Sequence, residues 1–224
     1  MTYDLIDISE AQGIIDWDKL TLGTECRQVC IRLGEGYHVD KHAARNWVEA
    51  KSHGWKRAAY HAFHAELRDI RQQADMLIET PDGDQPELFR AGDFELRYVT
   101  GSKLVNACKG YLDYLGAIEA RPWCYTADWC WSRDMRYDNG TRPWWAADFK
   151  LWVADWWSTA YPILPRGWYR YELWQRGACE MGALPGISTR VDYNYYNPQQ
   201  APDAFKIAKA LAVMHSLKGE RLSL

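Results

Sequence analysis

The sequence predicts an α/β fold, with its strands gathered into one sheet or barrel. Three observations lead there. Short apolar runs alternate with stretches of helical periodicity through most of the chain. The 224 residues suit one large domain, a barrel included, better than two small ones. No internal repeat, low-complexity tract or linker divides them. The later strands are joined by loops more than by clear helices, so a regular eightfold repeat is not predicted.

Taken in order, Leu5-Ile6-Asp7-Ile8 reads as the first strand. Val29-Cys30-Ile31-Arg32-Leu33 reads as the second, closed by Gly34 and Gly36. Residues 41–53 have a helical pattern that Gly54 stops. Ala58 to Phe63 is a third strand. Residues 65–79 carry Leu67, Ile70, Ala74, Leu77 and Ile78 at helical spacing, and Pro81-Asp82-Gly83-Asp84 then makes a loop. A fourth strand runs from Leu88 to Glu95, although Arg90 and Gly92 are poor strand residues. The clearest helix follows, with Leu104, Val105, Cys108, Tyr111, Leu112 and Leu115 on one face. Trp123 to Thr126 is a fifth strand. Residues 127–149 read as a Trp-rich irregular insertion with an Asn139-Gly140 turn. Leu151 to Ala154 and Tyr171 to Trp174 are further strands, and Arg190 to Tyr193 is a short last one. Residues 203–217 form an amphipathic helix with Phe205, Ala208, Leu211 and Ala212 inward.

Composition narrows the function. Hydrophobic residues make up 47% and charged residues 25%, as in a globular chain with a real core. A net charge of −3 gives no general attraction to nucleic acid or anionic membranes. Thirteen Trp and fourteen Tyr exceed the usual share; most are expected in the core, and the excess permits a groove walled with rings. The six cysteines, at 26, 30, 108, 124, 130 and 179, form no C-x-x-C pair, so buried free thiols are expected. Cys124 and Cys130 would pair only if a loop brought them together. His38, Asp40 and His42 alternate, but a polar loop before a helix explains them better than a metal. The start, Met1 to Asp7, lacks a basic region followed by an apolar run, so no signal peptide is read there, and no stretch has transmembrane length.

Asp93-Phe94-Glu95 is the one Asp-x-Glu in the chain. On a strand, side chains two apart share a face, so two carboxylates would aim at one spot. That is the minimum equipment for cleaving a glycosidic bond, although acidic pairs are also common on solvated surfaces.

The surrounding blocks resemble the family 25 glycoside hydrolases, the N-acetylmuramidases common among phage endolysins. Ile6-Asp7-Ile8-Ser9, Gln12-Gly13 and Ile15-Asp16-Trp17 resemble the opening block. Gly36-Tyr37, Val39-Asp40, Asn46, Ala50 and Gly54 resemble the second, and Tyr60-His61-Ala62-Phe63 the Tyr-His-Phe strand. Asp93-Phe94-Glu95 stands in the place of the catalytic Asp-x-Glu. Pro122 with Tyr125-Thr126, Leu151 to Ala154, Trp174-Gln175, and Val191-Asp192-Tyr193-Asn194 follow in order. The likeness departs at Ala11, where the family often has Trp, and at the less apolar Arg90, Ala91 and Gly92.

The resemblance implies an irregular TIM-like β/α barrel with incomplete helices in its C-terminal half. Residues 1–224 would be a single catalytic domain ending in the 203–217 helix, with no separate wall-binding domain. Asp7 would end the first strand and Asp192 the last, neighbours through barrel closure, with Asp93 and Glu95 on the opposite wall. The implied activity is hydrolysis of the β-1,4 bond between N-acetylmuramic acid and N-acetylglucosamine. Glu95 would be the general acid, held protonated by three other carboxylates. Asp93 would orient the substrate's 2-acetamido group, and Asp7 and Asp192 would position water or substrate. Tyr60, Tyr125, Trp152, Trp174 and Gln175 would wall the groove. No metal or cofactor is implied. The partners would be peptidoglycan glycan strands met by a monomer, without nucleic acid or membrane. Such a protein would wait in a host cytoplasm for release to the wall, through a holin if phage-encoded. The rivals are a chitinase-like barrel glycosidase and a catalytically silent carbohydrate-binding protein on the same scaffold.

Overall fold

Eight strands close into a barrel whose two faces carry different residues, because side chains alternate along each strand. The computed structural model describes residues 3–95 and 98–198. The strands are β1 Leu5–Ile8, β2 Gln28–Glu35, β3 His38–Val39, β4 Lys56–Ala62, β5 Arg90–Asp93, β6 Trp123–Thr126, β7 Lys150–Ala154, β8 Leu173–Ala178 and β9 Asp192–Tyr196. The helices are α1 Trp17–Gly23, α2 Ala43–Ser52, α3 Ile70–Ile78, α4 Gly101–Leu115 and α5 Asp128–Asp134. The order around the barrel is β1-β2-β4-β5-β6-β7-β8-β9 and back to β1, while β3 turns back on β2 as a hairpin at Gly36, whose φ is +56°. Pairings from β1 to β8 are parallel. β9 runs antiparallel to both β8 and β1 and closes the ring.

The inward apolar residues, Leu5, Cys30, Ala58, Ala91, Trp123, Trp152 and Leu173, fill the barrel as one cluster. Two residues beyond most of these on the same strands come Asp7, Arg32, Tyr60, Asp93, Tyr125 and Gln175. Each of those strands thus spends one inward position on the core and the next on a polar layer above it. Outward residues such as Ile6, Ile31, Phe63 and Val153 pack under the helices with Trp47, Leu77, Leu104 and Leu112.

Several boundaries differ from the sequence reading. The helix expected at 65–79 begins at Ile70, because the Asp69 side chain accepts from the backbone N–H of Gln72 and caps it there. The strand expected from Leu88 to Glu95 spans only Arg90–Asp93. Both of its awkward residues have reasons. Arg90 is buried, donating from Nε to the Leu77 carbonyl at 2.8 Å and pairing with Glu119 at 3.6 Å. Gly92 lies under the rings of Phe94 and Tyr111, where a Cβ would meet them at 2.7 and 2.8 Å.

The 127–149 stretch is more regular than expected. It holds α5 and a 3-10 helix at Trp144–Asp148, organised by Trp131, whose ring lies 6.0 Å from Trp145 and 4.6 Å from Trp168. The strands expected at 171–174 and 190–193 lie at 173–178 and 192–196. All six cysteines are free. Trp129, Trp144, Trp156 and Trp157 are exposed, and the other tryptophans are buried. The helix expected at 203–217, with Phe205, Ala208, Leu211 and Ala212, lies outside the described residues.

Candidate functional site

The C-terminal mouth of the parallel strands gathers the polar layer. Asp7, on β1, stands directly across from Asp192 in the antiparallel pairing of β1 with β9. Asp192 is therefore the first residue of its strand, not toward the end of it as the sequence predicts. An antiparallel strand begins at the end where its parallel neighbours finish. Asp93 closes β5, three strands round the barrel from β1. Glu95 lies just past it, and a hydrogen bond from the Phe94 N–H to the Tyr125 carbonyl, 3.0 Å, carries the ladder one residue further. The Glu95 N–H donates back to Asp93 Oδ1 at 3.2 Å.

Two amides organise the β1–β9 wall. Gln175 Nε2 donates to both Asp7 oxygens and to Asp192 Oδ2, each at 3.2 Å. Its Oε1 accepts from the Tyr125 hydroxyl at 2.8 Å and from the Trp156 indole N–H at 3.0 Å. An indole only donates, which fixes the orientation of the Gln175 amide. Asn194 is arranged likewise: Nδ2 donates to Asp7 Oδ2 at 2.7 Å, and Oδ1 accepts from the Trp152 indole at 2.7 Å.

Burial in this mouth disfavours every ionised carboxylate, and neighbouring charge adds to it. Burial raises Asp7 to about 6 against the amide donors of Asn194 and Gln175. Glu95 is raised to about 7 by burial and then by the charge of Asp7. Asp192 is raised to about 8 by burial, then by Asp7 and Glu95. Asp93 is pushed well up by burial and by Glu95, against the Glu95 N–H and the nearby Arg32. The four groups act as one proton-holding set.

The residues expected to wall the groove separate into three kinds. Tyr60 keeps partial exposure and packs edge-on against Trp152, ring centroids 6.0 Å apart. Tyr125, Trp152 and Gln175 are buried, and their polar atoms are spent on one another and on Asn194 and the carboxylates. Trp174 is not on this face. It alternates with Gln175, joins the outer cluster, and donates to the Asp155 carbonyl at 2.7 Å.

Sequence reasoning missed Arg32, Asn194 as a ligand of Asp7, and Trp156. Arg32 sits two residues beyond inward-facing Cys30, the one signal that would have found it. Its Nε donates to both Asp40 oxygens, at 3.0 and 2.9 Å, and its Nη1 pairs with Glu35 at 3.1 Å. His38 and Asp40 come together with Glu10, but their acceptors are already engaged. Glu10 Oε2 lies 3.0 Å from His38 Nε2 and accepts from the Lys41 N–H, while Asp40 accepts from Arg32 and the Glu10 N–H. This group fastens the β2–β3 hairpin ahead of α2. His61 is buried with Nε2 on the Gly36 carbonyl at 2.9 Å, as expected of a packed histidine.

The sequence model of the family described as glycosyl hydrolases family 25 matches residues 6–181. The uncharacterized protein YegX of Escherichia coli O6:H1 is 26% identical over 201 residues, covering 86% of this chain and 68% of its own. Among solved structures, the bacterial lysozyme from Streptomyces coelicolor superimposes with a TM-score of 0.73 at 24% identity, covering 88% of this chain and 94% of its own. The CTP1L endolysin gives 0.71 at 21%, covering 99% and 71%. The muramidase from Acremonium alcalophilum gives 0.67 at 24%, covering 86% and 92%. These superpositions show a common fold.

Proposed function

The chain belongs to glycosyl hydrolases family 25 and is a glycoside hydrolase; on that premise we propose that it is an N-acetylmuramidase, cleaving the β-1,4 bond between N-acetylmuramic acid and N-acetylglucosamine in peptidoglycan. The observation that carries this reading is the set of four carboxyls at one barrel mouth, two on β1 and β9 and two at the end of β5.

Glycoside cleavage needs a proton for the leaving oxygen and negative charge near the oxocarbenium-like carbon. Glu95 gives the proton: raised to about 7, it keeps a large protonated fraction at neutral pH. Asp93 accepts the N–H of the substrate's 2-acetamido group. That donor favours the carboxylate form of Asp93, and the new charge raises its partner Glu95 further, so the two roles reinforce each other. The acetamido oxygen then attacks the anomeric carbon as the glycosidic bond breaks, and the departing sugar takes the Glu95 proton. Water replaces it, losing its proton to the Glu95 carboxylate as the intermediate opens. Asp7 and Asp192, fixed through Gln175, orient that water and supply field. We place wall recognition in the groove itself and the site of action at the cell wall, reached by release of the protein as a monomer. No helix among the described residues is long and apolar enough to cross a membrane.

The test is Glu95→Gln on purified peptidoglycan, with new reducing ends identified by borohydride reduction and mass spectrometry. Loss of a general acid lowers kcat by about 10²–10⁴-fold. N-acetylmuramic acid is expected at the new reducing ends. Undiminished turnover in the variant, or reducing ends of N-acetylglucosamine alone, overturns the assignment. Preferential release from chitin oligomers favours the chitinase-like rival.

A further inference from the structure

The loop leaving β7 presents two consecutive indoles at the same mouth. Trp156 is 47% exposed and Trp157 is 92% exposed. Large apolar rings left in water on a rigid segment point to something that covers them. The segment is rigid because Asp155 organises it. One Asp155 oxygen accepts from the N–H groups of Trp157 and Ser158 at 3.1 and 3.3 Å. The other accepts from the Ser158 hydroxyl at 2.5 Å and from the Ile163 N–H at 2.8 Å. The Asp155 backbone is held too, donating to the Gln175 carbonyl at 3.1 Å and accepting from the Trp174 indole at 2.7 Å. Burial alone would raise the Asp155 carboxyl, but these donors hold it below the ordinary carboxylate range. Trp156 is fixed at its other end as well, since its N–H is the second donor to Gln175 Oε1. Its ring edge is therefore anchored in the network that holds Asp7 and Asp192, while the rest of the ring reaches solvent.

We propose that Trp156 is the platform of a carbohydrate subsite, stacking one face of a β-linked N-acetylated pyranose beside the bond to be cleaved. This rests on the muramidase reading above. A pyranose with equatorial substituents offers a face of slightly positive C–H groups, which suits the negative face of an indole. The N–H is already spent on Gln175, so recognition uses the ring face. The anchoring sets the sugar at a fixed place relative to Asp7 and Asp192 without a substrate-induced movement. Trp157, Tyr161 and Ile163 are exposed in the same loop.

The experiment compares Trp156→Ala, Trp156→Phe and Trp156→Leu with the wild type. Turnover is measured on peptidoglycan, and binding of N-acetylglucosamine oligomers by calorimetry. Thermal unfolding identifies variants that fold. Trp156→Ala is expected to raise KM and weaken oligomer binding at least about tenfold, or ~1.4 kcal/mol. Trp156→Leu, apolar but without a ring face, should do the same if the alanine variant fails to fold. Trp156→Phe keeps a face and should stay within about threefold of wild type in KM, any loss falling on kcat through the missing N–H to Gln175. A KM unchanged in the folded Ala or Leu variants overturns the subsite. Equal losses in Phe and Ala also overturn it, because the N–H and not the ring would then be at work. A wild type that binds the oligomers through Trp156 but does not cut peptidoglycan leaves the subsite standing and overturns the muramidase reading instead.

Discussion

Gln175 and Asn194 show how single amides make a cluster of carboxylates tolerable. A buried carboxylate without donors is costly, and two facing each other are costlier. Gln175 spends both of its N–H groups on Asp7 and Asp192, and Asn194 gives Asp7 a further bond. The cluster still costs stability. Its members bind protons more tightly folded than unfolded, so the folded state carries more protons between the ordinary carboxylate range and the raised values. By linkage their contribution falls as pH rises from about 4 through 8. Asp93→Asn removes one such charge while its Oδ1 can still accept from the Glu95 N–H. The variant should melt at the same temperature as wild type at pH 4 and higher at pH 8, each kcal/mol recovered giving about 2–4 °C. Differential scanning calorimetry at the two pH values decides it, and a variant no more stable at pH 8 refutes the cost. On peptidoglycan the same variant should lose most of its kcat; full rate would remove Asp93 from the acetamido role.

Strand β5 is where local propensity and final structure disagree most. Arg90 and Gly92 make a poor strand by composition. Tertiary contacts reverse that judgement, because Arg90 reaches the Leu77 carbonyl and Glu119, and Gly92 makes room for the Phe94 and Tyr111 rings. Phe94 sits between the two acids, and its ring packs against Phe63 at 5.6 Å and Tyr111 at 5.7 Å. The aim of Glu95 is thus fixed by an anchor turned the other way. Gly92→Ala should push that anchor. Overpacking predicts a loss of about 1–3 kcal/mol in stability. A displaced acid of order 1 Å predicts up to about 10²-fold in kcat. Urea unfolding and turnover on the folded variant check both, and a variant with normal kcat would show that Phe94 does not set the position of Glu95.

At the scale of the whole molecule, closure by β9 joins the first strand of the described residues to the last. Asp192 and Asn194 belong to that strand, so closing the barrel and completing the site are one event. A chain stopped before Val191 should expose the edges of β1 and β8, lose its cooperative thermal transition and aggregate. Size-exclusion chromatography and a melting curve test this; a monomeric truncated chain with a sharp transition would refute it.

The sequence by itself determined the alternation of strands and helices, the helical stretch of α2 and the apolar face of α4, the Asp-x-Glu pair and, by likeness of its blocks, the family. These are legible because each is written in neighbouring residues, as periodicity or as a short motif. Only the tertiary structure decided that β9 runs antiparallel, that Asp192 begins its strand, that Trp174 faces outward, and that Arg32, Asn194 and Trp156 belong to the mouth. Those facts depend on which strands become neighbours and at what register. A shift of one residue reverses every side chain, and nothing local in the chain records the choice.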